Sequence, residues 1–132
     1  FLGRPYSLTG TIVKGQQLGR TIGFPTANMQ VDDPVKLIPA NGVYAVDVRY
    51  NGQTLGGMLN IGLRPTVGGT FQTIETYIFY RDPAARFTKD IYGEHLTLEF
   101  REFLRPEQKF DGLPSLVAQL HRDEAAARAV LS

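Results

Sequence analysis

Between residue 7 and residue 104 the apolar and polar positions mostly alternate with a period of two, the pattern of strands buried on one face. In residues 43–50, Val-Tyr-Ala-Val-Asp-Val-Arg-Tyr, it places Tyr44, Val46, Val48 and Tyr50 on one face. Asn51-Gly52 follows at once. That dipeptide favours a type I′ hairpin, so residues 54–61 are predicted to return antiparallel to 43–50. Gly56 and Gly57 in the return strand predict a bulge, or a close approach by another backbone or a ligand. Further strands are predicted at 7–14, 74–80 and 95–104; in the last, Leu96, Leu98 and Phe100 face away from Thr97, Glu99 and Arg101.

The tail changes period. Leu113, Leu116, Val117, Leu120, Ala127 and Leu131 recur at helical spacing, and Pro114 fits a first turn, where its missing N–H costs nothing. One amphipathic helix over 113–131 is predicted to pack on the sheet. Five or six short antiparallel strands and one helix imply a mainly β protein, a small closed or nearly closed barrel with few exposed edges.

Composition narrows the classes. The 132 residues suffice for one domain with one core. There is no cysteine, which excludes a disulfide framework, a thiolate zinc site and a cysteine nucleophile. Fourteen basic against thirteen acidic residues give a net charge of +1, far from the footprint of a general nucleic-acid binder. No apolar run approaches the ~20 residues of a membrane-spanning helix. The expectation is a cytoplasmic protein with no nucleic-acid or membrane partner.

Candidate chemistry begins in residues 10–28. Gly15, Gly19 and Gly23 recur every four residues, allowing the backbone to turn N–H groups toward an anion, and Arg20 adds a positive fork. Thr26 and Asn28 lie two apart, so an extended segment puts hydroxyl and amide oxygen on one face, as hard ligands for a cation such as Mg²⁺. A glycine-rich hairpin loop entering a strand explains the same residues without a ligand. A P-loop does not fit, because Gly15 and Gly19 are too close, Arg20 replaces the lysine and Pro25 interrupts the required helix.

The two histidines, His95 and His121, read as surface or structural residues, which leaves little support for Ser-His-Asp hydrolysis. Glu75 stands out in Ile74-Glu-Thr-Tyr-Ile-Phe-Tyr80, a strand otherwise bulky and β-branched. Facing inward it would be costly to desolvate without a partner; facing outward it would be an ordinary strand residue. Carboxylates of this type are ionised at neutral pH and can take a proton from an attacking hydroxyl. Phosphoryl transfer needs such a base, a metal and donors that hold the nucleotide in line, and the chain has a candidate for each.

The run from Gly10 to Asn28, ending Gly-Phe-Pro-Thr-Ala-Asn, resembles the nucleotide-binding region of the riboflavin kinases. The likeness continues through Asn41-Gly-Val-Tyr-Ala45, Asn60-Ile-Gly-Leu-Arg-Pro-Thr66, Glu75-Thr-Tyr-Ile78, Asp90-Ile-Tyr-Gly93 and Leu104-Arg-Pro-Glu-Gln-Lys-Phe110, in the family's order. The resemblance implies a six-stranded antiparallel Greek-key barrel with a C-terminal helix, which transfers the γ-phosphate of ATP to the 5′-hydroxyl of riboflavin, giving FMN and ADP. It implies that Thr26 and Asn28 bind Mg²⁺ and the nucleotide phosphates, with Gly15, Gly19, Arg20 and Gly23 against the nucleotide. Glu75 would be the base, and Tyr92, Arg105 and Phe110 would lie along the flavin.

Two departures from the family pattern are visible. Residues 80–89 form a longer connection than the acidic one usual before Tyr92-Gly93, and Tyr77 stands where many members carry histidine. Leu2-Gly-Arg-Pro-Tyr-Ser-Leu resembles the junction in bacterial bifunctional enzymes between an N-terminal FMN adenylyltransferase domain and the kinase. Residues 1–6 are therefore expected to end an interdomain linker, and 1–132 to be the kinase module. The rivals are a flavin- or nucleotide-binding barrel without catalysis and an oligonucleotide-binding barrel; the near-neutral charge weighs against the second.

Overall fold

The computed structural model describes residues 6–13, 26–31, 38–80, 91 and 93–131. The described residues form six strands: β1 Ser7–Val13, β2 Ala27–Val31, β3 Gly42–Tyr50, β4 Gln53–Thr66, β5 Gly69–Phe79 and β6 His95–Arg105. A helix, α1, follows at Leu113–Leu131. The strands close into a barrel in the order β1-β2-β5-β4-β3-β6, every pair antiparallel. The non-sequential neighbours β2–β5 and β3–β6 are the crossovers of a Greek key. The mainly β barrel with a C-terminal helix is thus the observed architecture.

Alternation decides which side chains fill the barrel. Leu8 and Ile12, Met29, Tyr44, Val46, Val48 and Tyr50, Leu59 and Ile61, Ile74 and Ile78, and Leu96 and Leu98 form one buried cluster. Tyr44 anchors an aromatic group, with ring centroids 5.0 Å from Phe100 and 5.2 Å from Phe103, while its hydroxyl donates to the Ala40 carbonyl at 2.6 Å. Tyr6, at the end of the expected linker, packs edge to face with Phe100 at 5.8 Å between ring centroids, and its carbonyl accepts from the Phe100 N–H at 2.7 Å.

The β3–β4 hairpin turns on Asn51 and Gly52, both at positive φ (51° and 78°), as a type I′ turn requires. β4 runs beyond the predicted residue 61 to Thr66 and pairs with β5 to the tip of the hairpin. Gly56 and Gly57 cause no bulge, since β4 keeps unbroken register with both neighbours. Their missing side chains make room for other side chains. A Cβ on Gly56 would come within 2.5 Å of the Phe79 ring, and one on Gly57 within 2.9 Å of Val48. The register shifts fall instead between β3 and β6, around Tyr44 and Ala45.

α1 covers the outside of the barrel. Ala127 and Leu131 pack with Ala45, Met58 and Phe79, joined by Tyr77, Leu104, Leu120 and Val130. Burying a leucine such as Leu131 contributes about 2 kcal/mol. Leu113, predicted on this face, is exposed, because the first turn lies beyond the surface that the helix covers; Asp123 occupies the buried stripe instead. Two arginines pin the helix. Arg105 at the end of β6 meets Asp123, and Arg128 lies over the Phe79 ring at 4.2 Å while donating to the Tyr80 carbonyl at 2.8 Å.

At the β3–β4 hairpin the Tyr50 hydroxyl donates to the Glu94 carboxylate at 2.8 Å. That bond, with burial and the charge of Glu94, raises the Tyr50 pKa above the ordinary 10.0. A folded-state pKa raised in this way contributes stability that is complete below pH 10.0 and is lost as pH climbs through the raised value. Tyr50→Phe is therefore expected to flatten the fall in melting temperature above pH 10.0, measured against wild type by calorimetry. An unchanged slope would remove Tyr50 from the alkaline transition.

Candidate active site

Glu75 points outward. Its neighbours Ile74 and Ile78 are in the interior cluster, so alternation along β5 sends Thr73, Glu75 and Tyr77 to the outer wall. The carboxylate is half-buried there, between two hydroxyls: Thr26 Oγ donates to Oε1 and Thr73 Oγ to Oε2, both at 3.4 Å. At that length both are weak hydrogen bonds. Thr73 Oγ also lies 3.5 Å from the Gly62 carbonyl.

Register builds the rest of the site. Asn28 on β2 stands directly opposite Glu75, and Asn60 on β4 stands opposite it on the other side. The row continues to Val43 on β3 and Arg105 on β6. Asn28 and Asn60 share the outward face because Met29 on one side and Leu59 and Ile61 on the other fill the interior. One carboxylate, two amides and two hydroxyls are thus aligned across three adjacent strands. All five are oxygen-bearing and none is cationic, a donor set that suits a hard ion and hydroxyl groups. Oδ1 of Asn60 is buried without a hydrogen-bond partner.

At the far end of the row the Arg105 guanidinium grips Asp123, with Nε 2.9 Å from Oδ1 and Nη2 2.8 Å from Oδ2. Its Nη1 donates to the Pro106 carbonyl at 3.0 Å, and the Phe110 ring centroid lies 5.8 Å from Cζ. Gln119 also donates to Asp123, at 2.9 Å. Asp123 is 4% exposed and Arg105 16%, so this pair is shielded from solvent.

Of the residues singled out in the sequence, Thr26, Asn28 and Glu75 are brought together, and Phe110 lies against Arg105 at the end of the same row. Gly15, Gly19, Arg20, Gly23 and Tyr92 lie outside the described residues, as does the long connection 81–90. Three participants carried no role in the sequence reading. Asn60 and Thr73 are polar residues at alternating positions of apolar strands, and Asp123 is a charge on an otherwise apolar helical stripe; those breaks in pattern are the signals that mark them. Among the described residues no group of three or more His, Cys, Asp or Glu could hold a metal ion. A cation at Thr26 and Asn28 would complete its shell with water and substrate oxygens, as Mg²⁺ commonly does.

Fold and site define a class: a closed antiparallel barrel whose outer wall carries a row of hard oxygen donors around a single carboxylate. Residues 2–131 match the Flavokinase family, described as riboflavin kinase, and the chain belongs to that family. It is 46% identical over 129 residues to a bifunctional riboflavin kinase/FMN adenylyltransferase of Listeria monocytogenes, covering 97% of this chain and 39% of that protein. It is 45% identical to the protein of the same name in Escherichia coli strain K12, covering 96% of this chain and 38% of that one. The chain thus spans under half the length of these relatives.

Solved structures agree on the fold. A riboflavin kinase from Trypanosoma brucei superposes with a TM-score of 0.62 at 25% identity, covering 99% of this chain and 82% of that one. A chain named macrolide-efflux protein, from Streptococcus pneumoniae, superposes with a TM-score of 0.85 at 39% identity, covering 96% of this chain and 40% of its own. Among the described residues no helix is long and apolar enough to cross a membrane.

Proposed function

We propose that the chain transfers the γ-phosphate of ATP to the 5′-hydroxyl of riboflavin, giving FMN and ADP, with Glu75 as general base. The observation that carries this reading is the Glu75 carboxylate on the outer wall, with Thr26 and Thr73 hydroxyls at its two oxygens and Asn28 directly opposite. Glu75 accepts the proton of the 5′-hydroxyl while that oxygen attacks the γ-phosphorus and the bond to the ADP oxygen breaks. Thr26 and Asn28 would hold Mg²⁺ with the nucleotide phosphates, and the ion would spread the charge of the transferring group. Gly15, Gly19, Arg20 and Gly23 belong to the nucleotide loop, and Tyr92, Arg105 and Phe110 to the flavin side. Arg105 acts there mainly as a clamp, because Asp123 and Pro106 already engage all three of its nitrogens.

The bifunctional relatives extend the proposal. Residues 1–132 form the kinase module of a longer cytoplasmic protein, joined through a linker that ends in residues 1–6 to an FMN adenylyltransferase domain. The deciding assay mixes the chain with riboflavin, ATP and Mg²⁺ and looks for FMN and ADP by chromatography. Tight flavin binding without turnover would point to a non-catalytic barrel instead. Asn28→Ala is expected to weaken Mg²⁺-dependent nucleotide binding about ten-fold, the scale of one lost hydrogen bond or ligand to a charged group. A titration with and without Mg²⁺ checks it, and an unchanged metal dependence would take Asn28 off the ligand set.

A further inference from the structure

The Asn60 side-chain oxygen is a buried acceptor without a donor. Buried polar atoms are almost always paired, and an orphan has to be accounted for by a ligand, a water or strain. Its position limits the choice. Asn60 faces Glu75 across one strand spacing, on the side away from Asn28. Two spacings separate the two backbone positions by roughly 10 Å, and Glu75 stands between them. Asn60 therefore lies off the metal side. Following the row away from Glu75 leads through Asn60 and Val43 to Arg105 and then to Phe110. An acceptor whose reacting hydroxyl sits at Glu75 and whose ring lies toward Phe110 must pass Asn60 with the chain that joins them.

Resting on the riboflavin-kinase reading above, we infer that Asn60 Oδ1 accepts a hydrogen bond from a second hydroxyl of the acceptor's polyol chain, the 4′-hydroxyl next to the reacting one. Asn60 is then a specificity residue. Glu75 takes the proton of the terminal hydroxyl, while Asn60 checks that a neighbouring hydroxyl is present and fixes the rotation of the chain between them. In the unliganded protein the oxygen is covered and unpaired, so the Asn60 side chain has to turn outward for the ligand hydroxyl to supply the missing donor. An analogue lacking that hydroxyl leaves the oxygen as it is in the free protein and forgoes one hydrogen bond.

The test is a cycle of two flavins and three proteins. Affinities of wild type, Asn60→Leu and Asn60→Ala for riboflavin and for 4′-deoxyriboflavin are read from flavin fluorescence without ATP. Asn60→Leu keeps the volume and removes the orphan, so its melting temperature should equal or exceed that of wild type; Asn60→Ala leaves room for the ligand. Wild type is expected to prefer riboflavin by about ten-fold, and both variants to bind the two flavins alike. Equal binding of the two flavins by wild type, or a preference retained in either variant, overturns the inference. The reaction fails separately: no FMN from wild type, with the preference present and lost in the variants, removes the kinase reading and leaves the pocket.

Discussion

Glu75→Gln is expected to lower kcat by about 100- to 10,000-fold, the usual worth of a positioned general base, while ATP affinity stays near that of wild type. Glutamine keeps the shape and can still meet the Thr26 and Thr73 hydroxyls, but it cannot take the proton from the attacking oxygen. The loss should appear in kcat and in kcat/KM alike, since the base acts in the transition state. Steady-state FMN formation with nucleotide titration on the same preparation separates the two quantities. A variant with wild-type kcat would show that the proton leaves by another route.

The second large effect is on stability. Asp123→Ala removes a carboxylate that meets Nε and Nη2 of Arg105 and Nε2 of Gln119, and it leaves the guanidinium shielded without its counter-charge. Breaking one side of such a pair costs about 3 kcal/mol. Urea unfolding should show the midpoint shift at unchanged slope. Glu124→Ala is the internal control: Glu124 pairs with Arg128 at 2.9 Å one turn apart on the helix and more exposed, so its loss is expected at about 0.5 kcal/mol. Equal effects for the two variants would mean that Arg105 and Asp123 do not fasten the helix.

Much of the barrel was legible because its interior side chains alternate cleanly. Residues 43–50 and 95–100 each carry one face of large apolar side chains, and the core takes the predicted side of each. Where the helix covers the outer wall the alternation blurs. Phe79 and Tyr77 are bulky because α1 packs on them, so β5 is apolar on both faces near its end and the direction of Glu75 could not be read from pattern. The extent of β4 was hidden for a different reason. Pro65 reads as a strand breaker, yet it lies in a hairpin arm where pairing with β5 continues. Asn60 and Glu75 are fifteen residues apart on the two arms of one hairpin, and their pairing depends on where that hairpin turns.

Register has a consequence for how such a site can vary. The spacing of Asn28, Glu75 and Asn60 is set by the distance between hydrogen-bonded strands, not by the length of chain between them. Connections can lengthen, as the segment 80–89 does relative to the family pattern, without changing that spacing. Within a strand the rule is one of parity. A single inserted or deleted residue in β4 or β5 would exchange wall for core beyond it, turning Glu75 or Asn60 inward and an isoleucine or leucine outward. Variation in this protein is therefore free in length in the longer connections, and in the strands and their two-residue hairpin turns confined to changes that preserve odd and even.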